Sequence, residues 1–113
     1  MTFDKLELHE VKKEIEAFVE IIRPPKGFRK TLDVAYRIYD QSIEIFMIQP
    51  QGNSKTNELI ERPTVKICRI REQQEWRVYC MRSTQKWALY EKTKTLVDAL
   101  NVVRTDQHCC FFG

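Results

Sequence analysis

The hydrophobic and polar positions of this chain change period twice, from helical to alternating and back. Over residues 4–23, Leu8, Val11, Ile15, Phe18 and Ile22 recur at steps of three and four, which predicts one amphipathic helix. Asp4 with Glu7 three residues on predicts a reciprocal capping box, and Phe3 with Leu8 a hydrophobic staple. Glu10, Lys12, Lys13, Glu14, Glu16 and Glu20 fill the remaining surface. A solvated face accounts for them; a partner-binding face is the functional alternative. Pro24-Pro25 ends the helix, because proline removes a donor and restricts the residue before it. Residues 26–30, Lys-Gly-Phe-Arg-Lys, form a short basic connector.

The period then becomes two. In residues 32–39, Leu32, Val34, Tyr36 and Ile38 alternate with Asp33, Ala35, Arg37 and Tyr39, which predicts a half-buried strand. Asp40-Gln41 is the turn. Residues 42–49 follow as a strand with Ile43, Ile45 and Met47 opposite Glu44, Phe46 and Ile48, stopped by Pro50. Both sides of its later half are apolar, so it is expected inside the sheet. Residues 51–62 are expected as a polar loop anchored by Leu59 and Ile60.

Residues 64–91 predict three more strands, at 64–71, 76–82 and 86–91. The turn between the first two has no glycine or asparagine for a left-handed position, so the register is argued from the faces. A loop at Gln73-Gln74-Glu75 places Cys68 opposite Cys80 and Ile70 opposite Val78, with Trp76 on that side. Arg69, Arg71, Arg77 and Tyr79 then gather on the other face. A connecting loop at residues 83–86 would put Trp87 and Leu89 on the core side and Tyr90 and Lys92 on the cationic side; a three-residue loop would reverse this. Thr95 caps a second helix over residues 95–104, with Asp98 three positions on and Leu96, Val97, Leu100 and Val103 as its apolar stripe. The tail, residues 106–113, carries Phe111 and Phe112 and is expected to dock on the body. The pattern as a whole predicts an α+β fold: a mostly antiparallel five-stranded sheet, hairpin plus three-stranded meander, with an N-terminal and a C-terminal helix.

Length makes this one domain, residues 1–113. The chain has 113 residues, 42% hydrophobic and 31% charged, proportions of a globular protein and not of a disordered one. A net charge of +3 does not argue for nucleic acid unaided. No apolar run approaches the ~20 residues that cross a bilayer, and the charged start lacks a signal-peptide core. A cytoplasmic protein without a membrane partner is expected, its four cysteines reduced.

Candidate chemistry is sparse. Cys68, Cys80, His108, Cys109 and Cys110 lack the spacing of a zinc site; small buried core residues are the ordinary role of the first two. His108 beside Cys109 and Cys110 is the sole local thiol–base pairing, and sequence neighbours are not thereby oriented. Asp33, Glu44 and Lys66 lack a Glu-x-Lys element for metal-dependent cleavage. No cofactor motif is legible, and catalysis ranks behind binding. Arg69, Arg71, Arg77, Tyr79, Tyr90 and Lys92 form the candidate nucleic-acid surface, because cations attract phosphates and exposed rings stack bases. A helix laid over that face, with arginines at its rim, is the structural alternative.

Several segments carry a resemblance. They are Arg23-Pro24-Pro25, residues 32–38, residues 41–46, Trp76-Arg77-Val78-Tyr79, Met81-Arg82, Lys86-Trp87, Tyr90-Glu91 and the closing Cys110-Phe111-Phe112-Gly113. Together they resemble a bacterial family of short proteins gathered as domain of unknown function three-zero-two-four. The resemblance spans nearly the whole chain and implies a complete single-domain protein of bacterial type; it implies no activity. The family pattern tends to carry a histidine after the Lys-Trp pair, where this chain has Ala88, so no histidine role transfers. The sequence therefore points first to a non-enzymatic module binding single-stranded nucleic acid through a cationic and aromatic sheet face. Docking of a partner protein or a second copy is the alternative.

Overall fold

A computed structural model describes residues 3–23, 26–28, 33–50, 59–81 and 86–105. Helix α1 (Lys5–Ile22) starts as its sequence predicts. The Asp4 carboxylate accepts from the Glu7 amide at 2.8 Å, and the Glu7 carboxylate from the Asp4 amide at 3.4 Å. Its buried stripe is Val11, Ile15, Phe18 and Val19, with Leu8 and Ile22 partly buried beside it. Phe3 is buried too, its ring stacked 5.9 Å from that of Trp76.

Five strands follow: β1 (Asp33–Tyr39), β2 (Ser42–Pro50), β3 (Leu59–Ile70), β4 (Glu75–Met81) and β5 (Trp87–Thr93). They make one antiparallel meander in the order β1-β2-β3-β4-β5. Asp40 makes the first turn with φ 50°, a left-handed position that its short polar side chain tolerates. Strand β2 lies inside the sheet, as its apolar character requires. Two boundaries differ from expectation. Strand β2 includes Pro50, and β3 begins at Leu59 instead of residue 64. Pro50 sits at a strand end opposite Leu59, where a missing amide is tolerated. The early start of β3 reflects pairing of residues 59–63 with β2 across a bulge: Ile45 faces Val65 but Phe46 faces Pro63, leaving Thr64 extra. The Thr64 hydroxyl donates to the Ile45 carbonyl at 3.2 Å.

The register of β3 on β4 corrects the sequence expectation. Val65 faces Cys80, Ile67 faces Val78 and Arg69 faces Trp76, an odd shift that turns β3 over relative to β4. The turn is a four-residue connection, with a 3-10 segment (Arg71–Gln73) closed by Gln74 at φ 49°. This register buries Val65 and Ile67 completely, each contributing about 1.5–3 kcal/mol, and keeps Lys66 out of the core. It does place Arg69 on the apolar side. The guanidinium lies 5.4 Å from the Trp76 ring centroid, at the rim, so the stem packs while the charge stays wet.

Strand β5 carries a second correction. Near its turn Met81 faces Trp87 and Cys80 faces Ala88, but from Val78 onward the pairing shifts at a bulge that makes Tyr90 extra. Ala88 and Tyr90 therefore pack against the core, and Trp87 and Leu89 do not. Lys92, beyond the bulge, keeps its predicted side opposite Arg77.

Helix α2 (Leu96–Thr105) is capped by the Thr95 hydroxyl, which accepts from the Asp98 amide at 3.1 Å. Ala99 takes the buried place expected for Val97, which is 49% exposed. Both helices share one core with Val34, Ile43, Ile45, Val65, Ile67, Val78 and Cys80. They lie on the same side of the sheet, and among the described residues no element covers the other side. No helix of the described residues is long and apolar enough to cross a membrane.

Candidate nucleic-acid interface

The strand pairings order the uncovered face into transverse rows. One runs Arg37, Glu44, Lys66, Tyr79, Leu89 from β1 to β5. The next runs Tyr39, Ser42, Cys68, Arg77, Lys92. On the far side of the first row lie Ala35, Phe46 and Pro63, and across the sheet Met81 and Trp87.

The two halves of this face differ in charge. At the β1–β2 corner, the exposed Arg37 is paired with two carboxylates. Its Nε lies 3.6 Å from Glu44, it donates to Glu61, and its guanidinium covers the Phe46 ring at 4.4 Å. Phe46 is buried beneath it. The Tyr39 hydroxyl donates to Glu44 at 3.5 Å, and the Lys66 ammonium stands 5.9 Å from the Tyr39 ring centroid. Over β3 to β5 the balance is cationic. Lys66 faces Tyr79, and Arg77 faces the exposed Lys92. Trp87 lies two residues along β5 from Leu89, the partner of Tyr79, a diagonal spacing of roughly 7–8 Å. Arg77 donates to Glu75 at 2.6 Å and to Gln73 at 2.8 Å. These bonds fix its head group, and the one to Glu75 leads in raising its pKa.

Of the six side chains expected on this surface, Arg77, Tyr79 and Lys92 are together. Arg69, Arg71 and Tyr90 are on the helix side. Arg69 lines a cleft of 490 Å³ whose other wall bears Glu7, Glu10 and Glu14, an acidic setting unsuited to phosphate. Arg71 donates to Glu7 at 2.6 Å, which lowers the Glu7 pKa from its ordinary 4.5. Two further members, Lys66 and Trp87, were missed. The alternation Val65-Lys66-Ile67 carries a signal for Lys66. The outward side of Trp87 is the alternative left open for the β4–β5 loop; nothing in the sequence locates the bulge that combines it with an outward Lys92.

The other candidates separate. Cys80 is in the core, whereas Cys68 is on the uncovered face, its sulfur 3.2 Å from the Ser42 hydroxyl. They are not the facing pair that the expected register implied. His108, Cys109 and Cys110, with the rest of the tail, lie outside the described residues, as do Pro24-Pro25 and residues 51–58 of the expected loop. His9 is exposed on α1. Asp33 holds Arg23 through two bonds of 2.9 and 2.8 Å and sits four positions along β1 from the partner of Glu44. Among the described residues, no group of three His, Cys, Asp or Glu side chains is arranged to hold a metal ion.

No curated protein and no solved structure matches the chain. The sequence profile described as Domain of unknown function (DUF3024) matches residues 3–113, nearly the whole length, and the chain belongs to that family.

Proposed function

We propose that this protein is a small non-enzymatic binding module that takes single-stranded nucleic acid on the β3–β5 half of its uncovered sheet face. One observation carries the reading: Lys66, Arg77, Lys92, Tyr79 and Trp87 share a face that both helices leave open. Cations on such a surface neutralise phosphates, releasing counterions. Tyr79 and Trp87 offer rings on which unpaired bases stack, each worth about 1–3 kcal/mol. A duplex has its base faces already occupied, so a sheet of this kind selects single strands. Cytoplasmic residence, alongside nucleic acid and with reduced thiols, belongs to the same reading.

Fluorescence anisotropy with a labelled oligothymidylate tests it. Binding should weaken with salt and fall when Arg77 and Lys92 become alanine. Arg69→Ala with Arg71→Ala should leave it nearly unchanged, because those cations sit on the helix side. Equal losses in the two double variants would defeat the assignment to this face. A second reading, docking of a partner protein or a second copy, draws on Leu89, which is 46% exposed on the edge strand β5. Such an edge is a template for pairing. Light scattering over a concentration series distinguishes the self-association form.

A further inference from the structure

We propose that the nucleic-acid site ends at the β2–β3 boundary, where Glu44 and Glu61 act as a stop that limits the bound segment to about two or three nucleotides. This rests on the reading of the uncovered face just given and adds its extent. The rows supply the argument. Crossing from β5 toward β1, a strand of nucleic acid meets Lys92 and Arg77 in one row and Tyr79 and Lys66 in the next. The side chain facing Lys66 from β2 is Glu44, and a phosphate that passes Lys66 meets like charge.

The next cation, Arg37, is paired with two carboxylates, Glu44 and Glu61, which leaves its corner net negative, whereas among the described residues Arg77 is paired with Glu75 alone and has Lys92 opposite it. The next aromatic, Tyr39, is 40% exposed, but its hydroxyl lies on Glu44, so a base stacked there carries its phosphate toward that carboxylate. A phosphate beyond β3 therefore meets net negative charge. The usable width is three strands, about 10 Å, with two rings, Tyr79 and Trp87. The two glutamates are thus specificity determinants: they reject a continuing backbone and direct it off the β5 edge.

The experiment is a length series of labelled oligothymidylates against the wild-type protein, the Glu44→Gln/Glu61→Gln variant and a wild-type NMR map. Wild-type affinity should stop rising at about three nucleotides. Resonances of Lys66, Arg77, Tyr79, Trp87 and Lys92 should shift on binding, with the Arg37 Nε and the Phe46 ring unmoved. The double variant frees Arg37, so its plateau should move to longer oligomers. Its salt slope should steepen by about 0.7, the increment for one more phosphate on a single strand. Wild-type affinity that climbs steadily with length, shifts at Arg37 and Phe46, or a folded double variant with unchanged plateau and slope would each overturn the stop while leaving the binding face intact. Absence of binding at every length would overturn both. Should the double variant not fold, the wild-type length series and NMR map decide alone.

Discussion

The two faces of one sheet are built from the same five strands and obey different physics. On the helix side, Val34, Ile43, Ile45, Val65, Ile67 and Val78 meet two amphipathic helices, and burial of apolar area organises everything. Polar groups there stay at the rim and are satisfied locally: Arg69 on Trp76, Arg71 on Glu7, Arg23 on Asp33, Tyr36 on Glu16. On the uncovered side, charges and rings alternate across the strands, and even the buried ring of Phe46 lies under a guanidinium instead of hydrocarbon. Neighbours in sequence consequently answer to different demands. Ile67 is required for the fold, whereas Lys66 is available for binding.

The sharpest way to break this contrast is to compare those neighbours. Ile67→Ala should lower unfolding free energy by about 2–5 kcal/mol, while Lys66→Ala should stay within about 0.5 kcal/mol. Urea titration of the two variants checks it, and equal effects would erase the distinction between faces. The second test reads binding. Tyr79→Ala and Trp87→Ala should each weaken a short oligothymidylate by about 1–3 kcal/mol, with smaller losses of stability than Ile67→Ala. A loss confined to stability would move these rings from function to packing.

Two weaker effects sharpen the helix side. Burial, reinforced by the 2.7 Å bond to Glu16, pushes the Tyr36 pKa up to about 12 from 10.0. The folded state thus holds this proton more tightly than the unfolded chain. The corresponding stability is complete below pH 10.0 and is lost as pH rises toward about 12. Tyr36→Phe should remove that alkaline limb from the stability–pH curve. The smallest effect concerns Glu7, whose pKa is lowered chiefly by its bond from Arg71. Its contribution is present above pH 4.5 and is lost as pH falls through the lower folded value. Glu7→Gln retains the capping box but should flatten the acid limb of the same curve.

Features confined to one segment were legible in the sequence. The capping box at Asp4 and Glu7, the apolar stripe of α1, the Asp40-Gln41 turn, the two sides of β1 and β2 and the Thr95 cap all rest on interactions a few residues apart. The number of strands, the β1–β2 hairpin and the β3–β5 meander were legible too, since short connections favour antiparallel neighbours; the pairing of β2 with β3 across a longer connection was not. The membership of each face across strands was not legible. Alternation assigns side chains to two sides within a strand; the phase between strands depends on turn geometry and bulges. Gln74 occupies a left-handed position without being glycine or asparagine, and the bulge at Tyr90 reverses Trp87 and Leu89 while sparing Lys92. These choices are made by the assembled core, which gains more from burying Val65 and Ile67 than it loses by seating Arg69 against Trp76. The residues 64–91 that organise the chain could thus be read as three strands from their own pattern. Which cations and rings they present together emerged only when both helices closed over one side.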